Sequence, residues 1–184
     1  HGRIWRLRYA GTPASPASMG TPVPASAAIP LDLTQPRMLN ETPAQLVRHL
    51  SHANGWWRDT AQRLIILKQD ASVVPALQSL ARSSGSLLAR FHAIWTLEGL
   101  GALDAALVRE ALKDTNPRMR VQALRASETL YKAGDRSFAA DYAEAAKDTD
   151  ADVAVQALLT LNVLKVADAR AAITSAMATN KARG

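Results

Sequence analysis

From Met38 onward, apolar residues recur every three or four positions in short blocks, and the blocks come in pairs separated by turn residues. One stretch, Asn54 to Leu67 (NGWWRDTAQRLIIL), returns three more times with the same layout. Ala61, Ala93, Ala123 and Ala157 fall in register at gaps of 32, 30 and 34 residues, the length of a paired-helix unit. Seven positions before each alanine stand Asn54, Ser86, Asn116 and Asp150. All four are residue types whose side chain accepts a bond from an orphan backbone N–H and so starts a helix. Three positions before each alanine stand Arg58, Arg90, Arg120 and then Ala154. Cap, arginine and alanine at fixed offsets predict four helix pairs.

The elements follow from that register. Thr42-Pro43 starts the first helix, with Leu46, Val47 and Leu50 as its stripe, and Trp57, Ala61, Leu64 and Ile65 form the buried side of the second. Repeat two uses Val73, Val74, Leu77 and Leu80, then Leu88, Ala93, Leu97 and Leu100, with Gly99 and Gly101 supplying a left-handed helix end. Repeat three uses Leu107, Val108, Ala111 and Leu112, then Met119, Ala123, Ala126 and Leu130. Repeat four uses Phe138, Tyr142 and Ala145, then Val153, Ala157, Leu158, Leu161 and Leu164. Asp168 to Met177 reads as a final helix covering an otherwise open apolar end. The register alanines have a packing reason, because the smallest side chain lets two helix backbones approach where they cross.

The first 37 residues follow another pattern. Residues 1–9, HGRIWRLRY, alternate as a strand does, with Ile4, Leu7 and Tyr9 set between arginines and Trp5 on the opposite parity. A lone strand needs a sheet, and nothing downstream reads as its partner, so the expected sheet belongs to other polypeptide. Residues 10–37 are a linker: Ala10 to Pro36 holds six of the chain's nine prolines among Ala, Ser and Thr. That composition offers too little apolar surface to offset the entropy of ordering, yet could reach on the order of 80 Å along a neighbour. Residues 38–184 are the helical domain. The chain starts without an initiator methionine or a signal peptide and reads as part of something longer.

Composition narrows the function classes. With 48% hydrophobic residues over 184 positions the chain can build one continuous core. It has no cysteine, which removes disulfides, thiolate metal sites and covalent haem attachment from this chain. A net charge of +6 and a pI near 10.1 permit an acidic partner, but no uninterrupted basic run marks a nucleic-acid tail. No apolar run approaches the roughly 20 residues of a membrane span. Charge is uneven along the helices: Lys113, Arg118, Arg120 and Arg125 gather in repeat three, and Asp141, Glu144, Asp148, Asp150 and Asp152 in repeat four.

Candidate chemistry is sparse. His49 and His52 are three apart, a spacing that can share a metal, but no third ligand stands nearby, and turn capping is the plainer role. His92 sits on an apolar helix and reads as a histidine with one hydrogen-bond partner rather than a base. Ser83, Ser84 and Ser86 form a turn without the strand and glycines of a nucleophile elbow. No phosphate-binding glycine loop is present. No catalytic, cofactor-binding or metal residue is assigned in this chain. Trp56-Trp57 invites a surface role: neighbours on a helix point about 100° apart, so Trp57 can enter the core while Trp56 projects outward. The candidate interaction residues are Trp5, Trp56, Arg58, Arg90 and Arg120.

The spacing, the turn Asp with an Arg six residues on (Asp114 with Arg120) and the V-x-A-L-like second-helix starts resemble HEAT repeats over Met38 to about Met177. The same positions hold His52 and Arg58 in repeat one, Ser84 and Arg90 in repeat two, and Asp148 and Ala154 in repeat four, so the pattern does not support a continuous Asp/Arg ladder. A narrower resemblance joins HGRIWRLRY, the proline-rich linker and the segment His52, Asn54 and Trp56 to Leu64. That join is similar to the one in large secreted bacterial quinoprotein dehydrogenases of the sugar or sorbosone type. In those a β-propeller is followed by HEAT repeats and often by a cytochrome c domain.

The resemblance implies an all-α, HEAT-like α-solenoid of about four helix pairs, preceded by one strand and a Pro-rich linker. It implies a periplasmic or secreted interaction module of a PQQ-type dehydrogenase, docking the catalytic propeller and an electron-accepting cytochrome c. PQQ, calcium and haem c would then lie in the rest of the parent protein, and this chain alone would not be catalytic. The alternative is a stand-alone HEAT module binding nucleic acid or an acidic protein through Arg58, Arg90 and Arg120, with the steep salt dependence such contacts bring.

Overall fold

Nine α-helices and two short 3-10 turns account for about three-quarters of residues 37–181, which a computed structural model describes, with no strand among the described residues. The expected strand at 1–9, Trp5 and the linker to Pro36 lie outside them. A 3-10 turn at Met38–Asn40 leads into α1 (Pro43–His49) and α2 (Gly55–Lys68). A second at Ala71–Val73 leads into α3 (Val74–Ser83) and α4 (Leu87–Gly99). Then follow α5 (Ala105–Leu112), α6 (Pro117–Lys132), α7 (Phe138–Ala145), α8 (Ala151–Val163) and α9 (Ala169–Lys181).

The starts of the helices are written locally. Asn54 accepts from Trp56 N–H at 2.9 Å, Ser86 from Ala89 N–H at 3.3 Å, Asn116 from Arg118 N–H at 3.0 Å, and Asp150 from both Asp152 and Val153 N–H. Thr42 and Gln45 form a reciprocal capping box ahead of Pro43. The ends are less legible. Gly101 and Gly134 take positive φ, but so do Gln69 after α2 and Lys165 after α8, where no glycine announces the stop. Gly99 is not the left-handed residue expected of it. It lies inside α4, and a Cβ there would come within 2.5 Å of Ile66 Cδ1, so its role is to let α2 and α4 approach.

Packing follows the pairs. Helices α1 and α2, α3 and α4, α5 and α6, and α7 and α8 pack within pairs, while α2, α4, α6 and α8 also pack on one another in chain order. Ala61, Ala93, Ala123 and Ala157 are fully buried at these crossings, flanked by Ile65, Leu97, Leu124 and Leu161. Helix α9 packs on α7 and α8, with Ala176 buried. Leu88, expected on the buried side of α4, instead stands half exposed on its free side. Leu87 and Ala89, on either side of it, turn toward the core.

In repeat four the short α7 buries only two side chains, Phe138 and Tyr142. Tyr142 Oη shares a 3.0 Å hydrogen bond with Ser127 Oγ, itself buried in α6. Burial pushes the Tyr142 phenol up to about 12, against the opposing effect of the Ser127 bond and with help from the Glu128 charge. Because the folded pKa is raised, the unfolded chain loses this proton first, near the ordinary value of 10.0. The contribution is therefore whole below pH 10 and falls away as pH rises toward 12. Denaturant midpoints measured across that interval should drop, and Tyr142→Phe should flatten the drop; an unchanged slope would refute the assignment.

Candidate functional site

Two sets of residues could carry function: the arginines at the turns, and the free side of α2, α4, α6 and α8. At the turns, Arg120 donates through Nη1 to the carbonyl of Asp114 in its own repeat at 2.8 Å. Its Nε and Nη2 reach the two carboxylate oxygens of Asp148, in the next repeat, both at 2.9 Å. One repeat earlier, Arg90 Nη2 donates to Asp114 Oδ2 at 2.5 Å and Arg90 Nε to the Ala81 carbonyl at 2.8 Å. Each carboxylate thus pairs with the arginine of the preceding repeat; Arg120, six residues on from Asp114, takes only that aspartate's backbone oxygen. The chain Arg90, Asp114, Arg120, Asp148 is continuous across repeats two to four, though only repeat three carries both residue types.

These groups are mostly enclosed: the side chains of Arg90 and Arg120 are 17% and 16% exposed. Burial alone would push Asp114 and Asp148 up. The hydrogen bonds from Arg90 and Arg120, the turn N–H groups and the neighbouring guanidinium charges outweigh it and hold both carboxyls below the usual range. Arg58 differs. Its Nη1 donates to the His52 and Ala53 carbonyls at 2.6 and 2.8 Å, matching Arg120 on Asp114 and Thr115, but its buried Nε has no hydrogen-bond partner among the described residues.

The remaining sequence candidates have local roles. His52 Nδ1 accepts from Asn54 N–H at 3.0 Å and its ring stacks on Trp57 at 5.1 Å. His49 Nε2 lies 2.8 Å from Glu41 Oε2 and its ring is tilted against Trp57. Among the described residues no group of three or more His, Cys, Asp or Glu converges as a metal site would, and no helix is long and apolar enough to cross a membrane. His92 Nδ1 is 2.7 Å from Gln62 Oε1; burial first, then the Arg58 charge, lower its pKa against the pull of Asp59. Ser84 Oγ accepts from Ser86 N–H, and Ser83 Oγ donates to the Ser79 carbonyl.

On the free side, polar pairs stitch the second helices together. The His92–Gln62 bond joins α4 to α2, and Trp95 Nε1 donates to Gln122 Oε1 at 2.8 Å between α4 and α6. Thr129 Oγ1 donates to Glu98, and the buried Thr160 Oγ1 to Glu128, both at 2.8 Å. Beside this polar row lies an open groove of about 620 Å³ between α4, α6 and α8. Phe91, Val121, Val155 and Leu159 give its apolar lining, and Arg118, Asp150 and Asp152 line it as well. Val155 and Leu159 are 55% and 53% exposed, and Trp56 on α2 is 52% exposed. Trp57, by contrast, is half-buried against the core, with the two indoles edge to face at 5.9 Å.

The sequence reading missed Phe91, Val121, Val155 and Leu159. A signal existed, since α8 (ADVAVQALLTLNV) carries more apolar residues than one buried stripe requires. The basic and acidic clusters also change meaning. Arg120 meets Asp148, Arg118 lines the same groove as Asp150 and Asp152, and Arg125 lies over the Trp95 ring, so the cations of repeat three are spread over different surroundings. No family model, curated protein or solved structure matches this chain.

Proposed function

We propose that residues 38–181 are a HEAT-type solenoid that works as a docking scaffold, with the free side of α2, α4, α6 and α8 as its binding face. The observation that carries the reading is the exposed apolar row there, Trp56, Leu88, Val155 and Leu159, beside the groove. Apolar surface left open on side-by-side helices, with an aromatic among it, is the kind of surface a protein partner desolvates. The sequence resemblance supplies the partner: the catalytic β-propeller of a secreted quinoprotein dehydrogenase, and an electron-accepting cytochrome c. In that reading PQQ, calcium and haem c belong to parts of the parent protein outside this chain.

The nucleic-acid alternative is weaker for a specific reason. Of its three arginines, Arg90 and Arg120 already donate to carboxylates in enclosed positions, which leaves little charge for a phosphate backbone.

The test uses the propeller region expressed separately and titrated against this chain. Val155→Asp with Leu159→Asp should weaken binding about tenfold or more while leaving the melting transition in place, because both side chains contact solvent, not core. Unchanged affinity, or no binding by the unaltered chain, would remove the docking reading. Finding upstream coding sequence that does not specify a propeller would remove the quinoprotein assignment while leaving the scaffold open to test.

A further inference from the structure

Along the row of second helices, each helix offers the next one the same flank. From α4, Trp95 donates to Gln122 and Glu98 accepts from Thr129, both on α6; from α6, Glu128 accepts from Thr160 on α8. Trp95 lies two residues past its register alanine, and Glu98 and Glu128 lie five past theirs. On α8 those two places are Leu159 and Asn162, both exposed, and among the described helices the row ends there. Asp152, Val155, Leu159 and Asn162 are all exposed and follow one another at steps of three, four and three residues. Steps of that size keep the four within about 80° of arc, away from the buried Val153, Ala157, Thr160 and Leu161. This is the spacing of a coiled-coil seam, with apolar residues in the middle and a polar one at each end.

The charges select the occupant and its direction. Asp152 stands in the first turn of α8, and the exposed Lys165 follows just past its last turn. Neither has a charged partner among the described residues. We propose that a second copy of the chain lays its own α8 antiparallel along this flank, making a two-fold dimer. With the axis midway between Val155 and Leu159, Val155 of each copy meets Leu159 of the other. Asp152 then meets Asn162, whose amide can donate to it, and Lys165 lies one turn beyond, within reach of the same carboxylate. A two-fold contact of this kind is self-complementary, whereas a parallel pairing would set Asp152 against Asp152. The dimer goes beyond the docking reading and shares Val155 and Leu159 with it, so the two are tested apart.

The experiment is sedimentation equilibrium of the full chain. A seam only about 20 Å long buries less than a standard interface, so the mass should rise from 19.7 kDa toward twice that with a Kd on the order of 10–100 µM. Leu159→Asp should weaken pairing at least tenfold. Asp152→Lys or Lys165→Asp alone should each weaken it about fivefold, and the two together should restore it to within about twofold, because the exchange rebuilds the opposite charges. All three positions are exposed, so the helical melting transition should stay in place. A chain that stays monomeric up to about 500 µM, a dimer indifferent to Leu159→Asp, or a double exchange that restores nothing would overturn the proposal. Those outcomes leave propeller binding by the same chain standing, whereas lost propeller binding with the dimer intact would remove the docking reading alone.

Discussion

Arg120→Ala is expected to lower the stability of the helical unit by about 2–4 kcal/mol, below the figure for a fully buried pair because the group keeps some contact with solvent. The substitution removes the two bonds to Asp148 and the bond to the Asp114 carbonyl, and takes the Arg120 guanidinium away from an enclosed carboxylate. Asp148→Ala should cost a comparable amount, and the double variant much less than the sum, since each single change destroys the same pair. Arg120→Lys should recover less than half, because an ammonium cannot span both oxygens. The acid side gives a second reading of the same interaction. Since Asp148 is held below its ordinary value of 3.8, its contribution is whole above that pH and is lost as pH falls below it. Urea denaturation of the four chains measures the cycle. Additive effects, or single losses under about 0.5 kcal/mol, would show that these arginines are free to serve elsewhere.

Phe138→Ala should have a larger effect, about 3–5 kcal/mol, and a more local one. Phe138 is fully buried, stacks on Tyr142 at 6.1 Å between centroids, and lies under the Arg109 guanidinium at 4.4 Å. Helix α7 has only eight residues and two buried side chains, too short to persist by its own propensity. Removing the ring leaves a cavity and takes away the aromatic contact that orders Tyr142. Hydrogen exchange should show amides of α7 losing protection before those of α4 and α6, because loss of one anchor opens the element that depends on it. Uniform loss across all helices would mean that repeat four does not behave as a separable unit.

The two predictions differ in how visible their basis was in the sequence. Phe138 and Tyr142 stood four apart in an otherwise alanine-rich segment, which marks a helix face directly. The Arg120–Asp148 pair did not show itself. Within one repeat, Asp114 and Arg120 looked like partners, yet the carboxylate turns to Arg90 and Arg120 turns forward to Asp148. A reading confined to single repeats therefore found an interrupted pattern where the folded chain has a continuous one. In the folded chain the pairing starts only at Arg90, because the turn after Arg58 offers Ser84 in place of an aspartate.

By itself the sequence determined what depends on neighbours a few residues away. Caps at Asn54, Ser86, Asn116 and Asp150, the buried alanines and the apolar stripes follow from hydrogen bonds spanning two or three residues and from the helical period. Tertiary structure decided which apolar residues remain outside and which charges meet. Leu88, Val155 and Leu159 look like core residues in a helix pattern, and only the stacking of α4, α6 and α8 leaves their side open. The partners of Arg90 and Arg120 lie 24 and 28 residues away along the chain. Which of two similarly placed carboxylates an arginine reaches depends on the offset between stacked helix pairs. That offset is set by the packing of the whole row, where small residues such as Ala123 and Gly99 allow the backbones to close.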